Sequence, residues 1–218
     1  MKPLLIAHRG DTIHFPENTL EAFESALNLG AGGIECDMQC FNHQLFLVHD
    51  YLFDRSQKYP HLPELLQKFA FRGRLEIEIK SMDLDFLPPL KKLLQQYKNV
   101  DFELTTSYFP LIPFLRRAFP NLPLGVIFPP NQFEDWMTGE FITLKIVKTM
   151  ELLQGNVAHV LWRYVSQDLV EKLHQRQLKI HTHIARGDIK NQKAQYIEME
   201  RMEIDQATFD DIDLLQFI

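Results

Sequence analysis

The sequence predicts an α/β fold, a closed (β/α)8 barrel built as one compact domain over residues 1–218. Three observations predict it. Short strand-like apolar runs alternate with helical patterns along the chain, which means parallel strands with helices outside them. These units number roughly eight, the count a closed barrel needs, in a length at the low end for that fold. The first strand is followed by HRGDTIHFPENT and not by a G-x-G-x-x-G turn, which argues against the alternative, a doubly wound open sheet.

Residues 4–8 (LLIAH) read as a buried strand. Residues 17–29 place Leu20, Phe23, Ala26 and Leu27 at helical spacing, with Asn18 or Thr19 as cap and Gly30 as stop. Strand 33–38 follows, hairpinned through Asn42-His43 to strand 44–49. Then come helix 62–70, strand 74–80, helix 84–97, strand 101–106, helix 110–118 and strand 122–128. Residues 129–142 hold Pro129, Pro130 and Gly139 and read as a loop with at most a short helix. Helix 143–153, strand 157–161, helix 166–176, strand 178–183, helix 190–201 and strand 203–209 complete the series. Nine residues follow Phe209, so the eighth helix is expected to be short or absent.

A chain of 218 residues, 45% hydrophobic, is long enough for one well-buried core. The net charge of −6 argues against nucleic acid or an anionic membrane as partner. Cys36 and Cys40 lack the second pair a structural zinc site needs; they read as packing residues in a reducing compartment. No apolar run reaches the ~20 residues of a membrane span, and a first strand ending at His8 leaves no room for a signal peptide. The expectation is a cytoplasmic protein without a stable membrane anchor.

Catalytic groups of such a barrel gather where its strands end. The first strand ends in His8-Arg9, and the hairpin ends in His49-Asp50. Alternation puts Glu35 and Asp37 on one face of the second strand, and Glu76, Glu78 and Lys80 on one face of the next parallel strand. Buried carboxylates need a cation, a metal or a proton. Such an oxygen cage suits Mg²⁺, Ca²⁺ or Mn²⁺. Arg9 offers paired donors and Lys80 a compact charge for a phosphate. Two histidines flanking a phosphorus centre can act as acid and base. Plainer readings stand beside these: a hydrogen-bonded Glu35–Asp37 pair, a buried Glu78–Lys80 ion pair, and an Asp50 that orients its turn. Glu17 and Asn18 are expected to support the HRG turn, and Glu76, nearer its strand's start, to be structural. His181 and His183 share a strand face and read as pocket wall or metal ligands. His14, His43, His61, His159 and His174 carry no motif and read as surface or core.

The order His8-Arg9-Gly10, Pro16-Glu17-Asn18-Thr19, Ile34-Glu35-Cys36-Asp37, Val48-His49-Asp50 and Glu78-Ile79-Lys80 resembles the glycerophosphodiester phosphodiesterase family. The resemblance is strong over residues 4–80 and weaker, though in register, beyond. It implies a TIM-barrel phosphodiesterase with one divalent cation on Glu35, Asp37 and Glu78, catalytic His8 and His49, and phosphate contacts from Arg9 and Lys80. It further implies a small phosphodiester substrate, cleaved to glycerol 3-phosphate and an alcohol by water or through a cyclic phosphate. Departures are visible. Only 27 residues separate Asp50 from Glu78, so the family's cap over the mouth is expected to be mostly missing. The family's Trp-Thr-x-Asn is replaced by His181-Thr182-His183-Ile184, and the last strand keeps Asp205 and Asp210 but loses its glycines. These leave two alternatives: a lysophospholipid or other phosphodiester as substrate, or a catalytically silent phospho-ligand binder. Leu214, Leu215, Phe217 and Ile218 suit either core packing or a homodimer contact.

Overall fold

A computed structural model of the chain describes residues 2–51, 54 and 57–218. Its strands are β1 (Leu4–His8), β2 (Gly33–Phe41), β3 (Gln44–Leu47), β4 (Arg74–Ile79), β5 (Phe102–Thr106), β6 (Leu124–Phe128), β7 (Val157–Val160), β8 (Lys179–Ile184) and β9 (Gln206–Phe209). All but β3 run parallel, and β1 pairs with both β2 and β9, which closes the barrel. The helices are α1 (Leu20–Asn28), α2 (Leu62–Phe69), α3 (Leu87–Leu94), α4 (Ile112–Ala118), α5 (Gly139–Leu153), α6 (Gln167–His174) and α7 (Ile189–Arg201). A 3-10 segment, Ile212–Gln216, follows β9.

Alternation builds the two layers. Ile34, Cys36, Ile77 and Ile79 are buried in the apolar core, while Glu35, Asp37, Glu76 and Glu78 alternate with them along the same strands. Register sets the inward acids side by side: His8 opposite Glu35, Glu35 opposite Glu76, Glu76 opposite Glu103, and Asp37 opposite Glu78.

The elements match the expected order, with shifted edges. Helix α1 starts at Leu20 and not at 17, because Thr19 is its cap, its hydroxyl accepting from Ala22 N–H at 3.3 Å. Asn18 stands outside with φ +57°. Helix α5 reaches back to Gly139 because the Thr138 hydroxyl caps it; the loop expected over 129–142 is thereby shortened. The hairpin strand β3 stops at Leu47, though Val48 N–H still donates to Asp37 C=O at 2.9 Å. Asn42 and His43 both have positive φ, the geometry of a type I′ turn. The stretch where the shortened cap is expected includes Leu52, Phe53, Arg55 and Ser56, which lie outside the described residues.

Candidate active site

The strand ends surround a cavity of about 260 Å³ lined by His8, Glu35, Glu78, His181, His183 and Thr208, with an apolar wall that includes Phe128 and Leu161. The local chain at the end of β1 shows how the first motif works. Arg9 adopts φ +60° and donates its N–H to Glu35, to the backbone C=O and the carboxylate, both at 3.1 Å. Gly10 follows at φ +85°, where a Cβ would stand 2.7 Å from the Ala22 carbonyl carbon, so this turn requires glycine.

The second motif locks onto the first. Glu17 holds the Arg9 guanidinium at 2.8 Å. Asn18 is buried; its Nδ2 donates to Asp37 Oδ2 at 2.8 Å, and its Oδ1 accepts from Asp37 N–H at 3.0 Å. Asn18 N–H also donates to Arg9 C=O at 3.1 Å, so both residues hydrogen-bond the turn. Cap duty falls to Thr19, while Asn18 orients Asp37.

Glu35, Asp37 and Glu78 each bring a ligating oxygen within 4.8 Å of the others. Glu35 Oε1 and Asp37 Oδ1 are buried and accept no hydrogen bond. Burial first, then the charges of Asp37 and Glu78, push the Glu35 carboxyl well above the usual carboxylate range. Orphaned hard oxygens under mutual repulsion fit a divalent cation of the Mg²⁺, Ca²⁺ or Mn²⁺ type. Two cations border the group. Arg9 Nε lies 3.0 Å from Asp37 Oδ2; Lys80 Nζ lies 2.8 Å from Glu78 Oε1 and 3.4 Å from Asp37 Oδ1. Burial lowers the Lys80 ammonium's pKa, but Glu78 and Asp37 outweigh it and hold it above its ordinary value.

His8 meets this group from the side. Its Nε2 is 3.9 Å from Glu35 Oε2, and its Nδ1 is 2.7 Å from Asp210 Oδ1. His49 is not brought to the cavity wall. It stands past β3 with about a third of its side chain exposed, its Nδ1 3.2 Å from the exposed Asp50 carboxylate. Asp50 also receives a hydrogen bond from Gln39 Nε2 at its backbone C=O.

Beneath the cavity lies a polar layer that the sequence reading only partly anticipated. Glu103 accepts from His159 Nε2 at 2.7 Å, from Arg74 at 2.8 Å and from Gln206 at 2.9 Å. Burial raises the Glu103 carboxyl, but His159 and the other partners outweigh it and hold it below its usual range. Glu76 faces His159 and His181 at 3.6 and 3.4 Å, and these two rings stack at 4.0 Å. Glu76 is buried, but it also lines the cavity, which places it nearer the site than its early position on the strand implies. His181 sits under the mouth, fully buried, while His183 reaches the wall. His159 borders the cavity, a place no motif marked. Glu103 carries no motif either, whereas Asp210 is one of the aspartates the resemblance keeps on the last strand. The signal for both was alternation: Glu103 faces inward in FELTT, and Asp210 continues the inward series Gln206, Thr208.

The family model described as "Glycerophosphoryl diester phosphodiesterase family" matches residues 8–58. The chain is 28% identical over 172 residues to a glycerophosphodiester phosphodiesterase of Caldanaerobacter subterraneus subsp. tengcongensis, covering 62% of this chain and 71% of that one. It is 45% identical over 53 residues to a glycerophosphodiester phosphodiesterase of Bacillus altitudinis, spanning 24% of this chain and 22% of the relative. In fold it resembles the crystal structure of a glycerophosphodiester phosphodiesterase from Thermotoga maritima, with TM-score 0.76, 21% identity, and 99% and 98% of the two chains covered. It also resembles an Oleispira antarctica phosphodiesterase solved with the product sn-glycerol-3-phosphate, with TM-score 0.79, 15% identity, and 99% and 96% covered.

Proposed function

We propose that this chain is a member of the glycerophosphoryl diester phosphodiesterase family, whose model matches residues 8–58, and that it hydrolyses glycerophosphodiesters to glycerol 3-phosphate and an alcohol. The observation that carries the reading is one cluster of three carboxylates, Glu35, Asp37 and Glu78, paired with the cations of Arg9 and Lys80 and reached by the carboxylate-anchored His8, with His8, Glu35 and Glu78 on the cavity wall. Glu35, Asp37 and Glu78 would hold one divalent cation. When bound, it supplies Lewis-acid polarisation of the phosphoryl oxygens.

The chain's own residues do the rest. Arg9 and Lys80 receive the phosphate's negative oxygens. His8 Nε2 takes the proton of the attacking oxygen as that oxygen bonds to phosphorus. The leaving alkoxide takes a proton from His49, in keeping with its place in the Val-His-Asp motif. Because His49 stands outside the cavity wall, its role depends on the hairpin end reaching the substrate. The product complex of the Oleispira antarctica phosphodiesterase supports a phosphorylated glycerol as ligand of this fold.

The test is release of glycerol 3-phosphate from glycerophosphocholine by metal-stripped protein, then with Mg²⁺, Ca²⁺ and Mn²⁺ in turn, beside His8→Ala and Glu35→Gln. The expected result is metal-dependent release, lowered by about 10²–10⁴-fold in His8→Ala and abolished in Glu35→Gln. No release with any cation overturns the substrate; release that survives His8→Ala overturns the mechanism.

A further inference from the structure

Asp210 lies just past the end of β9 and joins two histidines. Its Oδ1 is 2.7 Å from His8 Nδ1. Its Oδ2 is 3.0 Å from His183 Nε2 and accepts from Arg186 N–H at 3.3 Å. An ionised carboxylate only accepts, so each ring nitrogen facing it carries a hydrogen. His8 therefore donates from Nδ1 and keeps its lone pair on Nε2, the nitrogen nearer Glu35.

His183 is committed at both nitrogens. Its Nε2–H goes to Asp210, and its Nδ1 accepts from the Thr208 hydroxyl at 2.9 Å. Donation along Thr208–His183–Asp210–His8 thus converges on Asp210, from Thr208 through His183 on one side and from His8 on the other. The rings of His8 and His183 meet edge-on, with centroids 5.1 Å apart, which excludes bulk from between them. Its main chain is held as well, because Gln195 Nε2 donates to the His183 C=O at 3.0 Å. With its nitrogens taken by Asp210 and Thr208, the ring offers a substrate neither a free N–H nor a free lone pair. Its effect passes through Asp210.

We propose that His183 is a positioning residue: with Arg186 N–H it pins one oxygen of Asp210, aims the other at His8, and so fixes His8 as the Nδ1–H tautomer with its basic Nε2 toward the carboxylate group. Its effect on turnover rests on the hydrolase reading above, whereas the tautomer does not.

The experiment uses the full chain with ¹⁵N-labelled histidine at pH 8, metal-free, and correlates ring nitrogens with ring carbon-bound protons. His8→Gln identifies the His8 signals among the nine histidines. The wild type is expected to show His8 protonated at Nδ1 and bare at Nε2. His183→Leu removes the donor and is expected to mix the two His8 tautomers; His183→Phe does the same with a ring retained, should the leucine variant fold poorly. His183→Gln keeps an N–H at the reach of Nε2 and restores the wild-type pattern. On glycerophosphocholine, the leucine variant is expected to lose about ten- to a hundredfold in kcat with little change in KM, and the glutamine variant to recover most of it. A His8 pattern unchanged in both donor-free variants overturns the proposal, as does a wild-type His8 protonated at Nε2. The expected tautomer shift without hydrolysis by any variant, wild type included, supports the positioning role and overturns glycerophosphocholine as the substrate.

Discussion

Asn18 shows how much one side chain does at this site. It satisfies both the N–H and one carboxylate oxygen of Asp37, and its own N–H donates to Arg9 C=O at 3.1 Å. Asn18→Ala leaves buried polar groups unpaired, which costs about 2 kcal/mol. Urea denaturation is expected to show that loss, and a larger one for Asn18→Asp, which sets a second charge against Asp37. Asp210 carries the pH dependence at this scale. Burial opposes its ionisation, but the hydrogen bonds from His183 and His8 prevail and hold the carboxyl far below its ordinary 3.8. A depressed carboxylate contributes stability that is fully present above its unfolded value and lost as pH falls through the folded one. The stability gap between wild type and Asp210→Asn is therefore expected to be about 2 kcal/mol at pH 7 and to shrink steadily below pH ~4. A gap that widens as pH falls below ~4 would contradict this account.

At the scale of elements, β6 passes so close to the polar layer that only glycine fits. A Cβ on Gly125 would stand 2.5 Å from His159 Nε2 and 2.7 Å from Glu103 Oε1. Gly125→Ala therefore pushes apart the shortest hydrogen bond of that layer. The expected loss is about 1–3 kcal/mol by overpacking, with the apolar outer face of the strand intact. A melting temperature unchanged in Gly125→Ala would mean that the layer yields freely. The β1–α1 connection follows the same logic from the opposite side. Its left-handed Arg9 and Gly10 turn the chain sharply enough to present the guanidinium to Asp37 while α1 packs behind.

For the whole molecule, closure of β1 onto β9 makes one ring of the two ends of the chain. His8 and Asp210, 202 residues apart, meet only because of it. The three carboxylates likewise come from two strands separated by a hairpin and a helix, so a cation on them cross-links that part of the ring. Such a ligand stabilises the folded state by about 2.7 kcal/mol at a hundred times its dissociation constant. Thermal melts with Mn²⁺, Mg²⁺ or Ca²⁺ are expected to shift upward, and Asp37→Asn to abolish the shift. A shift that persists in Asp37→Asn would place the cation elsewhere. Among the described residues, no helix is long and apolar enough to cross a membrane.

Periodicity in the chain is enough for the order of strands and helices, because it is a local property that the burial of each face enforces. It also determined which residues of β2 and β4 face inward, since alternation leaves a strand residue only two directions. The ordered motifs over the first 80 residues marked His8, Arg9, Glu35, Asp37, Glu78 and Lys80 for the same reason: each lies on a strand or directly at its end. The partners of these residues follow only from the folded chain. Whether Asn18 caps a helix or holds Asp37 depends on where β2 lies relative to the turn. That Glu103, His159 and His181 form one layer depends on the register of four neighbouring strands. Asp210 becomes the anchor of His8 only when the ring closes, because a contact between distant segments leaves no trace in the periodicity of either.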